Sequence, residues 1–284
     1  MVAIRTIKML HEKLNQLVKQ KESTLLWLYG SSIFFCLMVY FYYFLIVGNH
    51  WSLMDDHAEV LKWGAGIPNP LLQFFDYNRG LMEVGRFRPV DIAFRIFRYG
   101  VLPVEPVYFH LFQLLQAMAT MGFVALCLKS YGATLLQQLV FIFLYLASLS
   151  FKEGLFYSTS AEVPAMMFLA ASLYYYSKNR QWQAVVLFVL SFLSKESFFI
   201  FAPVYLFLSQ EKRLSSKFKM AVPYGILAIV FLVFIKSLPQ LYTGGLSLSK
   251  IDMRFLLAGT LQAPLKSLGP AVLLLLLAAS KKHR

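Results

Sequence analysis

Asp55, Asp56 and His57 stand together a few residues past an apolar stretch, 25–47, that is long enough to cross a bilayer. A carboxylate placed there can take the proton from an acceptor hydroxyl as its oxygen attacks, with the neighbouring groups orienting it. Asp and His also suit a divalent ion, although three consecutive ligands converge only on a bent backbone. The bland alternative is a solvated loop in which an Asp caps a helix starting near Ala58. A second group is Arg86-Phe87-Arg88-Pro89. Alternate positions of an extended segment point the same way, and Pro89 favours extended geometry at Arg88. Paired guanidiniums suit a phosphate; they also suit ordinary lipid head groups. A third group is Lys195-Glu196, flanked by Ser194 and Ser197 between two short apolar runs. It reads either as an anion site or as an ion pair closing a helix hairpin. Glu162 follows Thr159 at the spacing of a capping box, with Pro164 in the first turn, so structural capping is the leading reading.

These groups need a scaffold, and the composition says which kind. Apolar residues make up 58% of the 284-residue chain and charged residues 14%, well under the roughly 25% of soluble domains. Aromatic residues, 17%, suit helix ends at membrane interfaces. Apolar spans are read at 25–47, 107–128, 134–150, 161–176, 182–194, 197–208, 221–238 and roughly 264–279. The fold class is therefore all-α, a polytopic transmembrane bundle of about eight spans. Residues 1–284 form one transmembrane domain. Cys36 and Cys127 both fall in apolar runs and read as small core residues.

Residues 1–22 form a basic amphipathic segment suited to an anionic leaflet. With eight spans both termini share one side. That side holds 15 of the 27 Lys and Arg against Glu12, Glu22 and Glu211. The positive-inside rule makes it the cytoplasm. The net charge of +13 is thus absorbed by topology, and no nucleic-acid partner is expected. Residues 48–106 form a long first outer loop, rich in Trp, Phe and Leu. Its last part, from Pro89, is an amphipathic helix at the outer interface. The runs on either side of Lys195-Glu196 are about 20 Å long as helices, shorter than the roughly 30 Å hydrocarbon layer, so this tip is recessed.

An acidic motif after the first span, a long outer loop with interface helices, and short-linked spans together resemble the GT-C class. These are membrane glycosyltransferases, among them the protein mannosyltransferases and the lipid A aminoarabinose transferases. Gly85-Arg86-Phe87-Arg88-Pro89 looks like the R-x-x-P stretch leading into the family's second interface helix. Ser194-Lys195-Glu196 is similar to its Lys-Glu pair between two short spans, and Ser160-Ala161-Glu162 to the start of its fourth span. The resemblance covers about residues 25–240. It implies transfer of a sugar from a polyprenyl-phosphate donor to a hydroxyl of a lipid, glycan or protein acceptor, in an inverting single displacement. Asp55 or Asp56 would be the base. Arg86, Arg88 and Lys195 would hold the donor phosphate, with His57, Glu196 and Glu162 supporting. No cofactor is required beyond a possible divalent ion at Asp55, Asp56 and His57. The expected location is the cell (inner) membrane, or the endoplasmic reticulum in a eukaryote. Family enzymes have more spans and often a C-terminal soluble domain, so the chain reads as a minimal core, a fragment or an inactive relative. The other classes are a non-catalytic lipid-binding or assembly subunit, and a lipid flippase or transporter. Polar groups gathered near one membrane face disfavour transport.

Overall fold

A computed structural model of the chain describes residues 60, 67, 69–147, 160–209, 211 and 213–239, and all regular structure among them is helical. The segments read at 1–22, 25–47 and 264–279, and the Asp55-Asp56-His57 triplet, lie outside the described residues.

Helix α1, Pro70–Glu83, begins where the Asn69 side chain accepts a 3.1 Å hydrogen bond from the Leu72 amide, with proline at its first position. It ends at Gly85, whose φ of 78° lets the Gly85 and Arg86 amides turn back to the Met82 and Leu81 carbonyls. Helix α2, Pro89–Val101, is the amphipathic helix read from Pro89. Its inward face carries Asp91, Ile92, Arg98 and Tyr99, all buried.

Helix α3, Pro106–Ser130, and helix α8, Leu214–Ser237, are the long ones. At 25 and 24 residues each runs about 36 Å, more than the hydrocarbon layer of a bilayer. Both are long and apolar enough to cross a membrane. Between them lie α4 (Leu135–Ala147), α5 (Glu162–Ser177), α6 (Gln181–Ser194), a 3-10 helix (Glu196–Phe201) and α7 (Val204–Leu208). Thr134 and Gln137 cap α4 reciprocally, each side chain accepting from the other's amide. The run read as one span over 197–208 is divided. Its first half is wound as a 3-10 helix, and Pro203 separates it from α7. The 3-10 rise of about 2 Å per residue stretches this short segment further than an α-helix would.

The core sits where α5, α6, α7 and α8 meet. Tyr205 of α7 and Tyr224 of α8 stack with ring centres 3.7 Å apart, and both are fully buried. Phe188 of α6 and Tyr176 of α5 pack edge-on against that stack. The polar edges are satisfied. The Tyr176 hydroxyl donates to the Tyr205 carbonyl at 2.7 Å, and Ser172 Oγ donates to the Ala184 carbonyl at 2.5 Å. Five residues of α7 cannot hold a helix by themselves, so these contacts fix it.

Candidate functional site

Helices α3 and α5 run in the same direction and finish together. Ser130 and Ser177, their last residues, have hydroxyls 2.5 Å apart. Because α3 has 25 residues and α5 has 16, α3 continues about 13 Å beyond the start of α5 at the other end. The start of α5 and the end of α6 therefore lie in a recess below the end of α3. Helix α2 lies against the wall of this recess: Phe94 packs on Phe112 of α3 and Phe168 of α5.

Four charged residues meet there. Arg88, at the entry to α2, makes a two-pronged contact with Glu196, Nε to Oε2 at 2.5 Å and Nη2 to Oε1 at 2.7 Å. Lys195 Nζ donates to Glu162 Oε1, and Ser160 Oγ donates to the other Glu162 oxygen at 3.0 Å. Lys195 ends α6 in extended geometry, φ −143° and ψ 116°. Neighbouring side chains of an extended segment point apart, which is why Lys195 and Glu196 take different partners. The hairpin-closing pair of neighbours envisaged from sequence is replaced by two pairs that reach other helices.

The two pairs differ in character. The Arg88 and Glu196 side chains are 14% and 20% exposed; Lys195 and Glu162 are 24% and 47% exposed. The first is a partly buried strut between α2 and the tip after α6. The second is the more open of the two. Burial alone would raise the Glu196 carboxyl. The hydrogen bonds and charge of Arg88 outweigh it and hold Glu196 below the usual carboxylate range. Burial lowers the Arg88 guanidinium, and Glu196 more than restores it. A carboxyl depressed by folding stabilises the fold above its unfolded pKa and loses that contribution as pH falls through the folded value. Acid thermal-unfolding curves of Glu196→Gln should therefore be flatter below about pH 4.3, the ordinary glutamate value, than those of the unaltered chain. Parallel curves would show that the pair contributes no acid dependence.

The structure refines other expectations. Arg88 sits at φ −132° and ψ 54°, turned from full extension because its carbonyl already accepts from Ile92 in α2. Arg86 is half-buried, and Phe87 between them packs on Phe234 of α8 at 5.2 Å. Glu162 is the first residue of α5 after Ala161, which makes no side-chain cap; its carboxylate accepts from Lys195 and Ser160, and Thr159, its partner in the capping box read from sequence, lies outside the described residues. Among the described residues no three His, Cys, Asp or Glu gather as metal ligands.

Several buried polar groups went unnoticed in the sequence. Asp91, 1% exposed, pairs with Arg95 one turn on at 2.9 Å. Arg98 lies 5.7 Å from the Phe109 ring centre. Gln113, Gln116 and Thr120 are buried on α3. The spacing of the last three was a usable signal: polar residues at i, i+3 and i+7 mark the inward face of an otherwise apolar helix.

The described residues thus define a helical protein with two membrane-length helices and a recessed cluster of ion pairs at one end. Comparison of the chain with protein-family models, with curated proteins and with solved structures gave no match.

Proposed function

We propose that the chain is a multi-pass membrane glycosyltransferase of GT-C type. In this reading it moves a sugar from a polyprenyl phosphate to an acceptor hydroxyl. The observation that carries the reading is the recessed pairing of Lys195 with Glu162 beside the Arg88–Glu196 strut. An ammonium held at the wall of an apolar bundle by a carboxylate that is itself half open can exchange that carboxylate for a lipid phosphate. The polyprenyl chain would then lie along the apolar outer surface. The acceptor oxygen attacks the anomeric carbon, the bond from that carbon to the phosphate oxygen breaks, and the polyprenyl phosphate leaves with the electron pair. Asp55 or Asp56 takes the acceptor proton, and Lys195 offsets the charge on the departing phosphate. Arg88 acts at one remove by holding Glu196 and the tip.

Charge balance favours a second reading. Arg88, Lys195 and Arg95 are each matched by an acid. A neutral cluster is what a non-catalytic lipid-binding subunit would use to lock its helices.

Purified protein incubated with labelled polyprenyl-phosphate sugars separates the two. Consumption of any donor supports transfer; donor that binds and persists supports the subunit. Lys195→Ala should weaken donor binding by about 1–3 kcal/mol, the range for a charge-assisted contact, as read by titration with an unhydrolysed lipid phosphate. Equal affinity in both proteins would remove Lys195 from the site.

A further inference from the structure

The end opposite the recess has a different electrostatic design. Lys129 at the end of α3, Lys178 and Arg180 in the turn from α5 to α6, and Arg213 and Lys219 at the start of α8 are exposed, and Lys217 is half-buried. None of the six forms an ion pair with a described residue, and Glu211 is the one described acid nearby in sequence. In the recess, by contrast, cations and acids are paired one to one.

The shape of this end follows from Tyr224. It packs on Tyr205 and Tyr176, and its hydroxyl donates to Gln181 at 3.3 Å. Tyr224 is thus level with the end of α5 and the start of α6. Residues 214–223 of α8 continue past that level for about 15 Å. This overhang carries Lys217 and Lys219 together with Leu214, 66% exposed, and Phe218, 50% exposed. Trp182, 75% exposed, stands beside Arg180. Cations interleaved with exposed apolar and indole groups are matched by one surface, where phosphates meet acyl chains. A nucleic acid would satisfy the charges but leave Trp182, Leu214 and Phe218 in water.

We infer that the turn Lys178–Arg180 and the overhanging turns of α8 form a cradle for anionic phospholipid head groups of the surrounding membrane. Phosphates would lie between Lys178 and Arg180 on one side and Lys217 and Lys219 on the other. Trp182, Leu214 and Phe218 would enter the acyl boundary. This inference shares with the proposed function only the placement in a membrane and uses none of its chemistry.

The test is lipid retention by the full chain, purified from bilayers of phosphatidylcholine doped with phosphatidylglycerol and read by native mass spectrometry. Phosphatidylglycerol should be retained in preference. The preference should fall about ten-fold or more in Lys178→Gln/Arg180→Gln and again in Lys217→Gln/Lys219→Gln. Lys236→Gln, near the other end of α8, should leave it intact. The same preference in both double variants would overturn the cradle, as would equal retention of the two lipids by the unaltered chain. A heparin fragment that displaces phosphatidylglycerol completely would overturn it too, by showing that charge alone is read. Should a double variant fail to fold, the salt dependence of retention in the unaltered chain decides: a preference unchanged at high salt rejects the cradle. Donor turnover is not read in any arm, so the glycosyltransferase reading can fail while this one stands.

Discussion

Sugar transfer should fall by about 10²–10⁴-fold when the base among Asp55 and Asp56 becomes asparagine, the usual cost of removing a general base. Adjacent residues project differently, so one of the two should carry nearly all of the effect, and Asp55, the first acid after the apolar stretch, is favoured. Donor binding should be unchanged in the same variant, because the base acts on the acceptor. That combination distinguishes lost chemistry from lost structure. If the other acid serves a divalent ion, its variant and His57→Ala should share a loss, and a chelator should reproduce it in the unaltered protein. Full transfer by both Asp55→Asn and Asp56→Asn would end the enzyme reading of this motif and promote the lipid-binding subunit.

Arg88→Ala should destabilise the fold by about 2–4 kcal/mol, somewhat less than the loss of a partner from a fully buried pair. The reason lies in what is left behind. Glu196 would lose both prongs of its contact and keep its partly buried position, 20% exposed. Arg88→Met with Glu196→Gln should recover most of the loss, since neither side chain is then an unpaired charge. Arg88→Lys should recover less, because an ammonium cannot match both carboxylate oxygens in one plane. Thermal unfolding in detergent reads all three. An Arg88→Ala protein as stable as the original would show that the strut carries no weight. Arg88 holds the tip through Glu196, whereas Lys195 ties the tip to Glu162 of α5, and Lys195→Ala should cost less stability than Arg88→Ala. Its Glu162 is 47% exposed and can be solvated when left alone.

How much of this was legible varies by element. The run read at 107–128 appears as Pro106–Ser130, 161–176 as Glu162–Ser177, and 182–194 as Gln181–Ser194. Each is a long apolar run with polar or glycine punctuation at its ends, which is where hydropathy and caps speak most plainly. The helix at Pro89 was also readable, from its proline and its alternation of charged and apolar faces. The helix 70–83 was not, although Asn69-Pro70 is an ordinary starting signal. Its Leu71, Leu72 and Phe75 face outward, so it lacks the contrast that periodicity detects. The 3-10 winding after Glu196 was invisible for another reason. Its residues pack through tertiary contacts, such as Phe199 on Phe231 of α8, that have no local signature.

The site residues follow the same division. Arg88, Lys195, Glu196 and Glu162 could each be picked out as charges bordering apolar runs, and the structure brings all four together. Their pairing could not be read. Sequence proximity joined Lys195 to Glu196; Thr159, the capping partner read for Glu162, lies outside the described residues. The extended backbone at Lys195 sends the neighbours apart instead. One turn of geometry at the end of α6 decided what no residue type could.

The two ion pairs also close loops of very different length. Lys195 and Glu162 are 33 residues apart in the chain; Arg88 and Glu196 are 108 apart. Closing the longer loop costs about 1 kcal/mol more in chain entropy. The shorter closure is complete once α5 and α6 fold back on each other, a local event available as soon as residue 196 has been synthesised. The longer one joins α2 to the tip across 108 residues. Chain entropy alone therefore favours closing the open pair before the strut.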